Sequence, residues 1–350
     1  MKFRYVSQLV IILLCILSLA VSGSAQSSSS MSGAPRKVVV ATLMEDFFAE
    51  YPGLNVRLDR MTEVVGEAAA QADRRFPGDG LDLVVFPEAF VNRMPGVRPA
   101  DKAMPVDGEV SRVLGGCARR YSTYIVAPMI LNEGKGIYTN SAVLFDRDGE
   151  IAGIYRKVHP VAALGTDILE GGITPGKEFP VFTCDFGKIG MLICYDMSYG
   201  DGWKAYGDKG AEIVVIPTMS PQTVRPAAFA NLSKYFAITS TPRNNATIFN
   251  PVGMPHARLT EDGVLVERID LSYEILNWSV PLRNGEMMRE AYGDKVGYVY
   301  YESEDCGMFW SNDPAKPVAD MIDALGLAPQ GEEVERIRLL QDEVRGGPAR

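Results

Sequence analysis

The stretch GMLICYDMSYG, residues 190–200, places one cysteine, Cys194, at the end of a short apolar run and follows it at once with Tyr195 and Asp196. Upstream, FPVFTC and the turn DFGK precede IGMLIC, so the segment reads as a hairpin whose second strand stops at Cys194. Such a thiol is either an inert packed side chain or a group held where strand ends collect ligands in α/β folds. The rest of the chain has to decide between the two.

Working outward, KVVVATLM (37–44) is a β-branched apolar run with the character of a buried strand, and 54–75 carries helical spacing at Leu58, Met61, Val65 and Ala69. DGLDLVVFPE supplies a turn and a strand, 109–121 a helix, and YIVAPMI another strand. Hairpins follow: NSAVLF, the turn DRDG and EIAGIYRK, then the pair that ends at Cys194. Beyond it come a helix around Trp203 to Tyr206, the strand AEIVVIPT, a helix over 227–234, the strand YFAITST, and further β-structure through ATIFNP and around EDG at 261–263. Strands with helices between them give a layered α/β sandwich. The tail from Ile275 is less regular, rich in Tyr, Met and Gly, and closes on an amphipathic helix at 332–344. That helix packs on its own domain or grips a neighbouring subunit.

The first 25 residues have the form of a secretory leader: basic Lys2 and Arg4, an apolar run from Leu9 to Val21 broken only by Ser18, then Gly-Ser-Ala before Gln26. A flexible polar tether fills 26–35, a main domain 36–280 and a C-terminal extension 281–350. The expected product is a soluble protein, secreted or periplasmic, without a membrane partner after leader cleavage. A net charge of −9 without a clustered basic face argues against nucleic acid. Of five cysteines Cys15 falls in the leader, and Cys117, Cys184, Cys194 and Cys306 form no CxxC pair. Two histidines, His159 and His256, leave little for a metal site, and no cofactor is expected.

Two more polar residues end apolar runs: Glu88 after DLVVFP and Lys157 at the close of EIAGIYRK. Each alone reads as a surface residue. Together with Cys194 they supply a nucleophile, a cation able to lower the thiol pKa and hold an oxyanion, and a carboxyl whose raised pKa suits it to carry a proton. No histidine is required.

FPEAF, YRKVHP and GMLICYD, in this order, resemble the three signature segments of the nitrilase superfamily, the carbon–nitrogen hydrolases, over about residues 36 to 280. The resemblance implies a four-layer α-β-β-α sandwich and a Glu-Lys-Cys triad of Glu88, Lys157 and Cys194. It also implies a second glutamate, Glu170, with Glu178 as competitor, and an oxyanion donor in the Tyr195 N–H. Tyr195-Asp196 after the nucleophile resembles amidase-like members rather than nitrile-cleaving ones. Where many of those continue with Arg-Phe-Pro-Glu, this chain has SYGDGW, so the arginine is missing and Asp201 stands in for the glutamate. Tyr195, Asp196, Tyr138, Trp203 and Met219 are the candidate pocket wall, with Asn244 and Asn245 close by and His159 a structural hydrogen-bonder. The expected activity is an amidase-like hydrolase acting on a small amide or carbamoyl compound through a thioester. An acyl or amide transferase, a nitrilase and a non-catalytic binding protein on the same fold are the alternatives. The resembled family commonly pairs its sandwiches, so a homo-oligomer is expected.

Overall fold

The structure, a computed structural model, describes residues 34–162 and 164–346. The expected leader and all but the last two residues of the tether lie outside them. Twelve strands build the main body: β1 Lys37–Met44, β2 Leu83–Val85, β3 Tyr124–Gly134, β4 Ile137–Phe145, β5 Ile151–Arg156, β6 Phe182–Thr183, β7 Lys188–Met191, β8 Ile213–Pro217, β9 Phe236–Ser240, β10 Ala246–Phe249, β11 Pro255–Leu259 and β12 Gly263–Asp270. They form two six-stranded sheets, ordered β12-β1-β2-β3-β4-β5 and β11-β10-β9-β8-β7-β6. β1 to β3 are parallel to one another, as are β7 to β9, and the outer strands are antiparallel.

Strand alternation sorts the side chains into layers. Val38 and Val40 of β1 face the second sheet and meet the set of Ile189, Ile213, Val215 and Ile238. Val39, Ala41 and Leu43 point the other way, onto helices α1 (Leu54–Arg75) and α3 (Glu109–Tyr121), with a single turn, α2 (Pro99–Lys102), between them. On the second sheet, Val214 and Ile216 face outward onto α4 (Asp201–Asp208) and α5 (Val224–Ser233). The result is the expected α-β-β-α sandwich. The C-terminal ends of the two parallel sets meet: Thr241 N–H donates to Leu43 O at 3.1 Å, and the Thr42 hydroxyl to Thr239 O at 2.7 Å.

The tail is more regular than its composition suggests. β13 (Tyr273–Asn277), β14 (Val296–Tyr301) and β15 (Cys306–Ser311) pair antiparallel in the order β13-β15-β14, with α6 (Glu286–Tyr292), α7 (Val318–Asp323) and α8 (Gln330–Val344) around them. Met308 and Cys306 close over the inter-sheet core while Phe309 faces Met288, Met321 and Ile322. Being buried on both faces, CGMFWS carries no polar alternation to mark it as a strand. Gly297 is needed opposite Trp310: a Cβ there would lie 2.2 Å from the indole nitrogen.

Candidate active site

The three strand-end residues converge. β2 continues to Phe86, whose N–H still bonds Val126 O at 3.1 Å; Pro87 then stops the ladder and Glu88 turns in, 5% exposed, with Ala89 at φ +59°. Lys157 follows β5 directly and is 2% exposed; its N–H donates to Asn140 O and its carbonyl accepts from Gly176 N, both at 2.8 Å. On the second sheet, Leu192 N–H bonds Val215 O at 3.0 Å, after which Cys194 adopts φ +45°. A non-glycine residue in that region costs about 1–3 kcal/mol, strain that concentrates at functional sites. Gly190, four residues earlier, lets α4 close on β7, since a Cβ there would lie 2.6 Å from the Tyr206 ring.

The Lys157 ammonium lies 2.9 Å from Glu88 Oε1 and 2.5 Å from Glu170 Oε1. Asn140 Nδ2 donates to both carboxylates, at 2.9 Å to Glu88 and 3.0 Å to Glu170. Glu170, at φ +42°, is fixed by its own N–H to Val161 O at 2.8 Å and by Val161 N–H to its carboxylate at 3.1 Å. Glu178 is exposed, so Glu170 is the glutamate brought to the lysine. The Cys194 thiol is near enough to Glu88 and Lys157 for both charges to act on it, with the Thr218 side chain and the Met219 N–H also beside it; the Thr218 hydroxyl itself donates to Ser220 O at 3.1 Å.

Burial alone would push Glu88 up, but the Lys157 charge and the hydrogen bonds from Lys157, Cys194 and Asn140 hold it below the usual glutamate value. Burial also works against the Lys157 charge; Glu88 and Glu170 outweigh it and keep the ammonium. Cys194 is pushed up to about 12 by burial and then by Glu88, against the opposing pull of Lys157. The lysine does lower the thiol, as expected, but burial first and Glu88 second outweigh it; the carboxyl, expected to be raised, is lowered instead. The Lys157 ammonium sits 2.9 Å from Glu88 Oε1, where its charge favours the ionised carboxylate. The resting site is therefore a neutral thiol beside an ionised base.

The profile of the family described as carbon-nitrogen hydrolase matches residues 52–273. The chain belongs to that family. Omega-amidase NIT2-A of Xenopus laevis is 26% identical over 268 residues, covering 70% of this hydrolase and 94% of the relative. The beta-ureidopropionase of Arabidopsis thaliana is 35% identical over 184 residues, covering 47% and 42%. Among solved structures, an amidase from Nesterenkonia sp. superposes with a TM-score of 0.56 at 22% identity, covering 70% of this chain and 94% of that one. Nit3 of Saccharomyces cerevisiae, a member of branch 10 of the nitrilase superfamily, gives 0.56 at 19%, covering 67% and 90%. At these identities the structural matches speak for the fold.

Within this hydrolase the candidate wall divides. Tyr195 is 39% exposed, its ring edge-on to Tyr199 at 5.8 Å, and Tyr138 is half-buried on the same face of β4 as Asn140. Met219 is half-buried and packs against the core cluster built by the outer face of the first sheet and its helices. Two residues do not belong to the wall. Trp203 is fully buried, stacked on Phe229 at 5.1 Å with its indole N–H on Met197 O, because α4 needs a large apolar anchor under it. Asp196 is 1% exposed and turned inward, its carboxylate saturated by hydrogen bonds. Asn244 is exposed, and Asn245 Nδ2 pins Pro221 O at 3.0 Å. His159 has Asp196 Oδ1 3.1 Å from Nδ1 and Asp201 Oδ2 3.2 Å from Nε2, under the Tyr199 ring at 3.9 Å. Asn140, Thr218, Tyr155 and Tyr199 escape a reading by motif. Only Asn140 leaves a signal, in the polar trio Thr139-Asn140-Ser141, all buried within an otherwise apolar strand.

Proposed function

We propose that this carbon–nitrogen hydrolase is an exported amidase that cleaves a small amide or carbamoyl compound through a thioester on Cys194. The convergence of a neutral thiol, an ionised Glu88 and the Lys157 ammonium within one hydrogen-bonded cluster carries the reading. The omega-amidase and beta-ureidopropionase relatives support the amide and carbamoyl classes. The leader at 1–25 supports export to the periplasm or medium.

Cys194 Sγ attacks the substrate carbonyl carbon as its proton passes to Glu88, so no free thiolate accumulates. The carbonyl oxygen takes the negative charge between the Lys157 ammonium and the Tyr195 N–H. Collapse breaks the C–N bond; Glu88 returns the proton to the leaving nitrogen, and ammonia or an amine departs. Glu88 then takes a proton from water, whose oxygen attacks the thioester. A second oxyanion collapses to the acid, and the Glu88 proton returns to the departing sulfur. Glu170 and Asn140 keep the ammonium aimed throughout. The enzyme works as a homo-oligomer.

Exposure to a panel of short amides, with ammonia release followed and the Cys194 peptide weighed after acid quench, tests the mechanism. The expected result is an acyl adduct on Cys194 and no turnover in Cys194→Ala. Turnover in that variant would remove the thioester.

A further inference from the structure

Asp196 was a candidate for the pocket wall, yet it faces away from solvent with a carboxylate that gathers donors from both sheets. Oδ2 accepts the Ile193 N–H at 2.9 Å and the Tyr155 hydroxyl at 2.7 Å. Oδ1 accepts the His159 N–H at 2.8 Å and lies 3.1 Å from His159 Nδ1. Ile193 is the residue before Cys194, at the end of the β7 run in the second sheet. Tyr155 and His159 bracket Lys157 at the end of β5 in the first sheet. β5 and β7 share no ladder, each being hydrogen-bonded within its own sheet.

We propose that Asp196 is a positioning residue: its single carboxylate staples the turn that presents Cys194 to the loop that presents Lys157, and so fixes the separation of nucleophile and oxyanion cation. This rests on the thioester reading above. Tyr155 is the second half of the staple. It is fully buried, and its hydroxyl also accepts the Val158 N–H at 3.3 Å, so the residue after Lys157 is tied to the same point. Burial and the adjacent Asp196 carboxylate both hold the Tyr155 proton on its oxygen, which keeps it a donor. The backbone at Cys194 needs such a hold. At φ +45° it occupies a sparsely populated region, which persists only where the surroundings over-determine it. A misplacement of about 1 Å in such a site costs on the order of 10²-fold in rate. Aspartate suits the position because three donors, the Ile193 N–H, the Tyr155 hydroxyl and the His159 N–H, converge on its two oxygens; an amide nitrogen in place of Oδ2 would face two donors with another donor.

The test compares Asp196→Asn and Tyr155→Phe with the wild type, with rates normalised to the folded fraction read from near-UV circular dichroism and the urea unfolding curve of each variant. That normalisation removes losses due only to misfolded protein. Asp196→Asn is expected to lose about 10²-fold in kcat while KM stays within about threefold, the pattern of lost transition-state alignment. Tyr155→Phe is expected to lose about tenfold, and the double variant no more than Asp196→Asn alone, because both act through one staple. If Asp196→Asn does not fold, Tyr155→Phe alone decides. An unchanged kcat in either folded variant, or fully additive losses, would overturn the staple. Activity surviving in Cys194→Ala would instead strike the thioester reading, so the two failures are separable.

Discussion

In the proposed mechanism the chemistry turns on Glu88, which lies beside the thiol that must lose a proton and bonds the ammonium that must keep one. Its lowered pKa sets the sign of the pH dependence. The base form persists as pH falls below the ordinary carboxylate range and is lost only on passing through the folded value. The ion pair with Lys157 stabilises the fold with the same sign, present above the unfolded carboxyl pKa and lost on acidification. The acid limb of kcat/KM should therefore lie below about 4.3, the ordinary glutamate value, and an inflection above it would contradict the assignment. Glu88→Gln keeps the shape and cannot carry a proton, so kcat should fall by about 10²-fold or more. Steady-state assays at neutral pH would show it, and wild-type rates would leave the base unassigned. That Glu88, Lys157 and Cys194 lie together was legible in the sequence through the three segments FPEAF, YRKVHP and GMLICYD taken in order. Their protonation states were not, because those depend on which partner stands nearest in three dimensions.

Elements were read most truly where the apolar pattern is long. β1 covers its unbroken apolar run, 37–44, and α1 and α3 cover the helical spans read for them, 54–75 and 109–121. α5 begins at Val224 rather than 227, since Pro226 in its first turn looks like a breaker but is tolerated there. α4 was placed correctly and one of its side chains misassigned: Trp203 lies near Cys194 in sequence, yet its helical face turns it into the layer beneath α5. Helical neighbours of a nucleophile are divided by phase, which spacing from the motif does not reveal. Trp203→Ala should cost about 3–5 kcal/mol, visible as a lowered urea midpoint. A preserved midpoint with a raised KM would return Trp203 to the substrate.

At the scale of the whole molecule, the sandwich was legible because helices and strands alternate in sequence; the third sheet was not, because its central strand, CGMFWS, shows no polar alternation and follows in sequence both of the strands it lies between. The third sheet also changes how assembly should be tested. Removing everything from Ile275 onward would strip Ile275, Cys306 and Met308 from the inter-sheet core, so lost association would report only unfolding. α8 can be removed more safely, since none of its residues is buried and its described side-chain ties to the sheet are those of Gln330 and Glu333 to Asn277. It nevertheless presents Val334, Ile337, Leu340 and Val344 to solvent, from 38% to 89% exposed. Burying the exposed parts of four such side chains against a second copy is worth about 3–6 kcal/mol, or on the order of 10² to 10⁴ in a dissociation constant. The mature chain should therefore scatter light as a dimer or larger at micromolar concentration. Deleting residues 329–350 should raise the dissociation constant by at least about 10²-fold while leaving the melting temperature of the sandwich near its original value. A monomer mass for the intact mature chain would end the expectation of assembly. A dimer indifferent to the deletion would move the interface to the other exposed apolar side chains, Val224 and Leu232 on α5, 79% and 73% exposed.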